Sequence, residues 1–253
     1  MCIRDSPFSF QGIKSQLINT GDSASRGGIT WNYLPGTMKE VLDISDVISK
    51  KNINVVLDTG LLANENNLKL LSGKIGIGIL HISTHGFFFA EKEKDYSKNT
   101  LAKNSDQKQN YSVLDNPLYR SGIVLSGANN SVKAGNDITD ESEDGIITAY
   151  EISLLDLSNV EIVILSACET GLGDIKGGEG VYGLQRAFKV AGAKNVIMSL
   201  WKVPDKETAE LMKYFYENWL NKGMDKREAL LEAQKQMRLI NPNPYYWAAF
   251  VMV

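Results

Sequence analysis

The chain has 253 residues, 43% of them hydrophobic, a formal net charge of -3 and a pI near 5.5. That length and apolar share suffice for a sizeable core, whereas the acidic balance leaves no basic footprint for nucleic acid and no apolar run reaches membrane-spanning length. Two cysteines and two histidines cannot build a disulfide framework and suit a structural zinc site poorly; with no signal peptide visible, the expected setting is cytoplasmic.

Residues 1–6, MCIRDS, back-translate as ATG TGT ATA AGA GAC AG, which resembles a transposase mosaic-end adapter from sequencing libraries. They are expected to be an assembly remnant, with no function for Cys2 and native sequence further upstream. Residues 7–34 are polar and rich in Gly and Ser, which predicts a linker or the remnant of an upstream domain. Gly21-Asp22-Ser23 matches the nucleophile block of GDS-type hydrolases superficially, but that signature needs a later DxxH block and no histidine follows His85. It reads as a polar turn.

The folded domain is expected over 35–253. Thr37 and Glu40 stand at capping-box spacing and Val41, Ile44 and Ile48 form an apolar stripe, so a helix is predicted over 38–49. A short strand follows at 53–57, a helix at 64–71, and a buried strand at 75–83 that ends in Thr84-His85-Gly86. Residues 91–112 are too long and lysine-rich for an ordinary connection and read as a solvated insertion. A strand at 118–125 leads to an acidic loop at 129–144, read as solvation and not as a metal site, and then to a helix at 149–154. Next come a buried strand at 160–166, a Gly-rich loop, a helix at 179–191 and a strand at 195–200. The helix at 205–220 carries Met212, Phe215, Tyr216 and Trp219 on one face. Asp225 and Glu228 form a second capping-box pair ahead of a stripe of Leu230, Ala233, Met237 and Ile240. A strand is predicted at 246–253, where the chain stops abruptly enough to suggest truncation.

Strands that alternate with helices predict a three-layer α/β/α sandwich on a mainly parallel sheet, in which chemistry gathers at the carboxyl ends of strands. Two such ends carry reactive residues: ILHIS-Thr84-His85-Gly86 and IVILS-Ala167-Cys168-Glu169. If the strands are neighbours, a thiolate and an imidazole meet at one edge, as Cys-dependent acyl transfer requires. The backbone N–H groups of Gly86 and Cys168 are then candidates for an oxyanion hole. Each residue alone is as readily structural: a buried cysteine is often a small apolar filler, and His81, on the same side of its strand as His85, reads as structural. Gly171, Gly173 and Gly177 come close to a dinucleotide fingerprint but are one residue too long, and no acid ends the next strand. No cofactor is expected; the glycines read as letting substrate backbone approach Cys168.

Read together, LPGTMKEV (34–41), LHISTHGFF (80–88), NPLYRSGIVLSGAN (116–129), DGIITAYEISLLDL (144–157), the block from 165 to 203 and YYWAAFVMV (245–253) resemble the CHAT domain. This is the caspase-like domain associated with tetratricopeptide repeats, in the clan of caspases, legumains and separases. The resemblance implies a caspase-like fold, a cysteine endopeptidase acting on protein substrates, Cys168 as nucleophile and His85 as general acid/base. It also implies an upstream tetratricopeptide or sensor domain. Trp201-Lys202-Val203-Pro204-Asp205 is similar to the LWDVTD block of separases, where an acid lines the pocket for an arginine side chain. Asp205 matches the second acid of that block, and Lys202 replaces the first. Asp205 alternatively reads as a helix N-cap, and Glu169 is a further pocket candidate by likeness to the legumain ACES block. A catalytically silent adaptor on the same fold is the alternative.

Overall fold

The computed structural model describes residues 2–3, 31–88, 117–129, 143–166 and 179–253. A six-stranded sheet forms the middle layer. Its strands are β1 (Cys2–Ile3), β2 (Leu57–Asp58), β3 (Ile79–Ile82), β7 (Ile162–Leu165), β8 (Val196–Ser199) and β9 (Phe250–Met252). The spatial order is β2-β1-β3-β7-β8-β9, parallel throughout except that β9 runs antiparallel to β8. Three short strands, β4 (Gly86–Phe88), β5 (Ser121–Val124) and β6 (Ile146–Thr148), make a separate antiparallel sheet.

The helices, in chain order, are α1 (Pro35–Ser49), α2 (Glu65–Lys69), α3 (Ala149–Ser153), α4 (Glu179–Val190), α5 (Asp205–Tyr216) and α6 (Lys226–Ile240). Side chains of a strand alternate between faces, and that period divides the core in two. Leu80, Ile82, Val163, Leu165, Val196 and Met198 face Leu68 of α2, Ile152 of α3 and Leu184 and Phe188 of α4. Ile162, Ile164 and Ile197, offset by one, face Ile44 and Ile48 of α1, Met212, Phe215 and Tyr216 of α5, and Ala233 and Met237 of α6. Both faces of the parallel strands are therefore covered, which is why they read as continuous apolar runs. The arrangement is the mainly parallel, caspase-like α/β sandwich expected from the sequence.

Three local expectations are corrected. Pro35 is pre-organised for the first helical turn, so α1 starts there and not at residue 38. Thr37 then lies inside the helix and donates its hydroxyl to the Leu34 carbonyl at 2.8 Å, and the capping box with Glu40 does not form. A complete box does form at α3, where Thr148 and Glu151 satisfy each other's backbone N–H groups. In α6 the apolar stripe ends at Met237, since Ile240 is 57% exposed on the last turn.

At the start of α2, Glu65 is buried. It bonds Lys69 at 2.6 Å and accepts the backbone N–H of Gly145 at 3.3 Å, with Glu151 and Asp144 also facing it. Burial pushes its carboxyl up to about 7; Lys69 pulls it back, and Glu151 and Asp144 add to the rise. Between its ordinary value of 4.5 and about 7 the folded state holds a proton that the unfolded chain has released. This group's stabilisation is therefore present below 4.5 and lost as pH rises through 7. With allowance for the solvent beside Lys69, the loss is roughly 2 kcal/mol. Urea titrations at stepped pH are expected to show this decline in the wild-type chain and a flatter profile in Glu65→Gln; equal slopes would refute it.

Candidate active site

His85 sits where the two sheets meet. Ser166 donates its backbone N–H to the Ile82 carbonyl at 2.9 Å, which locks β7 beside the end of β3. Immediately past β3, Thr84 bonds through its hydroxyl to the Val124 carbonyl, and the His85 carbonyl accepts the Val124 N–H at 2.8 Å. Gly86 then opens β4 opposite Ile123. Residue 85 is thus clamped between the parallel sheet on one side and β5 on the other.

The imidazole is buried, and its Nε2 lies 2.6 Å from the backbone carbonyl of Asn32. A carbonyl oxygen only accepts, so Nε2 carries the proton in this contact.

Below His85, His81 and Ser83 project toward α1. His81 bonds Glu40 through Nε2 at 2.8 Å and the Tyr216 hydroxyl through Nδ1 at 3.2 Å, while Ser83 donates to the second Glu40 oxygen at 2.7 Å. All four side chains are buried. A buried carboxylate is tolerated only when hydrogen-bonded and paired, and His81 together with Ser83 supplies that pairing. His81 is structural in this sense, as expected.

A pocket opens between these groups and α5. His85, Ser83 and Glu40 line one side, Asp205, Thr208 and Lys202 the other, and Leu34, Thr37 and Ser166 complete the wall. Ser166 and Thr208 are buried, and among the described residues neither hydroxyl has a hydrogen-bond partner. Asp205 does not cap α5. Pro204 occupies that position and Asp205 is the first helical residue, with its carboxylate accepting the backbone N–H of Gly36. The approach of α1 to α5 is so close here that a Cβ on Gly36 would collide with the Cβ of Asp205. Burial pushes the Asp205 carboxyl above the usual aspartate range and the charge of Glu40 adds to this; the Gly36 N–H, His85 and Lys202 oppose it.

Two of the residues singled out in the sequence, His85 and Asp205, therefore line one pocket. Cys168 and Glu169 lie outside the described residues, as do the glycines at 171, 173 and 177. Ser166, two residues before Cys168, reaches the pocket wall. Sequence reading missed Asn32, which acts through a backbone atom and leaves no residue-type signal. It also missed Glu40 as a site residue, because its capping-box spacing offered a local explanation.

Among the described residues, no helix is long and apolar enough to cross a membrane. Among characterised proteins, tetratricopeptide repeat protein 28 of Mus musculus and of Homo sapiens are each 34% identical to this chain over 110 residues. That stretch covers 43% of this chain and only 4% of either relative. The family model for the CHAT domain matches residues 7–253, taking in every motif block noted in the sequence and the pocket built on His85. The chain belongs to the CHAT domain family.

Proposed function

We propose that this domain is a cysteine endopeptidase in which Cys168 is the nucleophile and His85 the general acid/base. The observation that carries the reading is the pocket shared by His85 and Ser166. It places the end of β7, from which Cys168 follows, beside a buried imidazole whose Nε2–H is already committed to Asn32. The ring then exchanges its proton with reactants at Nδ1.

In the reaction so read, the Cys168 thiolate adds to the scissile carbonyl carbon, and backbone N–H groups receive the developing oxyanion. Gly86 suits this role. The Val124–His85 bond makes residue 85 the hydrogen-bonded partner of β5, so the strand alternation turns the Gly86 N–H away from β5. Collapse breaks the C–N bond, and His85 gives its proton to the leaving amine. Water, deprotonated by His85, then hydrolyses the thioester and regenerates the thiol.

Asp205 and Glu40 outnumber Lys202 on the pocket wall, and the hydroxyls of Ser166 and Thr208, without a partner among the described residues, add acceptors. A guanidinium or ammonium side chain, all donors and no acceptor, is the substrate group that this lining suits, so cleavage after Arg or Lys is proposed. Glu169 is a further proposed contact to the substrate. The likeness to tetratricopeptide repeat protein 28 supports placing this domain as an effector controlled by an upstream repeat domain. Incubation with a peptide acyloxymethyl ketone is expected to label the wild-type chain covalently and to leave Cys168→Ala unlabelled. Equal labelling of both, or none under any activating condition, favours a silent adaptor.

A further inference from the structure

The carbonyl that receives His85 lies in residues 31–34, which belong to no helix or strand. One anchor of this segment is a side chain 98 positions from Trp31. Asn129 accepts the backbone N–H of Trp31 on Oδ1 at 3.5 Å and donates from Nδ2 to the Trp31 carbonyl at 3.2 Å. Both Asn129 and Trp31 are buried. The amide thus grips both backbone polar groups of the residue next to Asn32. The peptide unit it fixes is the one leading into that carbonyl.

The turn presenting Asn129 is itself tightly held. Leu125 donates to the Gly145 carbonyl at 2.6 Å and Ser126 to the Ala63 carbonyl at 2.8 Å. Gly127 adopts φ of +100°, and Gly145 packs so closely on Ala128 that any Cβ there would clash. The same segment begins at Val124, which holds the backbone of His85. Ring and acceptor are therefore referenced to one short rigid stretch, 124–129: Val124 fixes the residue that carries the imidazole, and Asn129 fixes the carbonyl that orients it.

We propose that Asn129 is a positioning residue for His85, acting through the Trp31–Asn32 backbone; its catalytic consequence rests on the peptidase reading above. Asparagine suits the task because one side chain must both accept and donate. Aspartate, of equal size, keeps the acceptor but loses the donor and sets a carboxylate oxygen against the Trp31 carbonyl.

The test uses the full chain with 15N-labelled histidine, where only His81 and His85 contribute signals. In the wild type, neutral His85 is expected as the Nε2–H tautomer. In Asn129→Asp the His85 signals are expected to move toward a tautomer mixture with a shifted titration midpoint, while those of His81 stay in place. The accompanying loss in kcat is about 10²-fold with KM little changed, the scale of a small misplacement of a catalytic group. Should Asn129→Asp fail to fold, Asn129→Ser removes both bonds with a smaller side chain and is expected to shift His85 in the same way. His85 signals identical to wild type in a folded variant would overturn the proposal. The spectra decide the positioning claim even for a chain that labels with no probe and cleaves no peptide, so failure of the peptidase reading is told apart.

Discussion

His85→Ala is expected to lower kcat/KM for peptide hydrolysis by about 10²- to 10⁴-fold, the range that a positioned general acid/base contributes. The buried ring has its Nε2–H tied to the Asn32 carbonyl, and it is held between β3 and β5 by backbone bonds that the substitution leaves in place. The fold should survive, because the backbone anchors of residue 85, its carbonyl to Val124 and the neighbouring Thr84 hydroxyl, do not depend on the ring. A contrasting variant is His81→Ala, which strips Glu40 of a buried partner. Removing one member of a buried pair costs about 3–5 kcal/mol, so its loss of activity should track loss of folded protein. Far-UV dichroism and a pH–rate profile on each variant separate the two. Full activity in His85→Ala would remove the residue from the mechanism.

Asp205→Asn is expected to reduce kcat/KM for substrates with Arg or Lys before the cleaved bond by about 10- to 10²-fold, from the loss of a charge-assisted hydrogen bond. Substrates with a neutral residue there should be little affected. The pH dependence has a definite sign. Burial raises the Asp205 carboxyl above its ordinary range, so Asp205 loses its charge, and its part in the basic preference, at a higher pH than an ordinary aspartate would. The same shift makes ionised Asp205 a burden on the fold: its contribution to stability is present below the unfolded-state value and declines as pH rises through the folded one. The Asp205→Asn variant should accordingly be no less stable than wild type at neutral pH, the usual exchange of function against stability. An unchanged ratio of basic to neutral substrates would take Asp205 out of the specificity pocket.

The central sheet was legible because β3, β7 and β8 are buried on both faces, and their uninterrupted apolar runs between turn residues admit few other readings. Helices α4, α5 and α6 were legible from their stripes. The antiparallel sheet β4-β5-β6 was not read as such. Two of its strands are only three residues long, too short for alternation to register, and its pairing joins residues 86–88 to 121–123 across an intervening segment. Local rules also misdirected. Thr37 and Glu40 obey capping-box spacing, yet Pro35 starts the helix earlier and frees Glu40 for a tertiary role with His81 and Ser83. Asp205 follows a proline and looks like a cap, yet Pro204 takes the cap position and Asp205 turns to Gly36 and the pocket. In both cases a short-range pattern was outvoted by burial against another element. Asn32 could not have been found by residue type, since only its backbone oxygen acts.

The most direct test of the account is cleavage itself. A proteome-derived peptide library is incubated with the wild-type chain and with Cys168→Ala, and new termini are read by mass spectrometry. New termini following Arg or Lys are expected in the wild-type sample and none in Cys168→Ala. The same termini appearing in both samples, or no cleavage by the wild type with its upstream region and activating partner present, would contradict it.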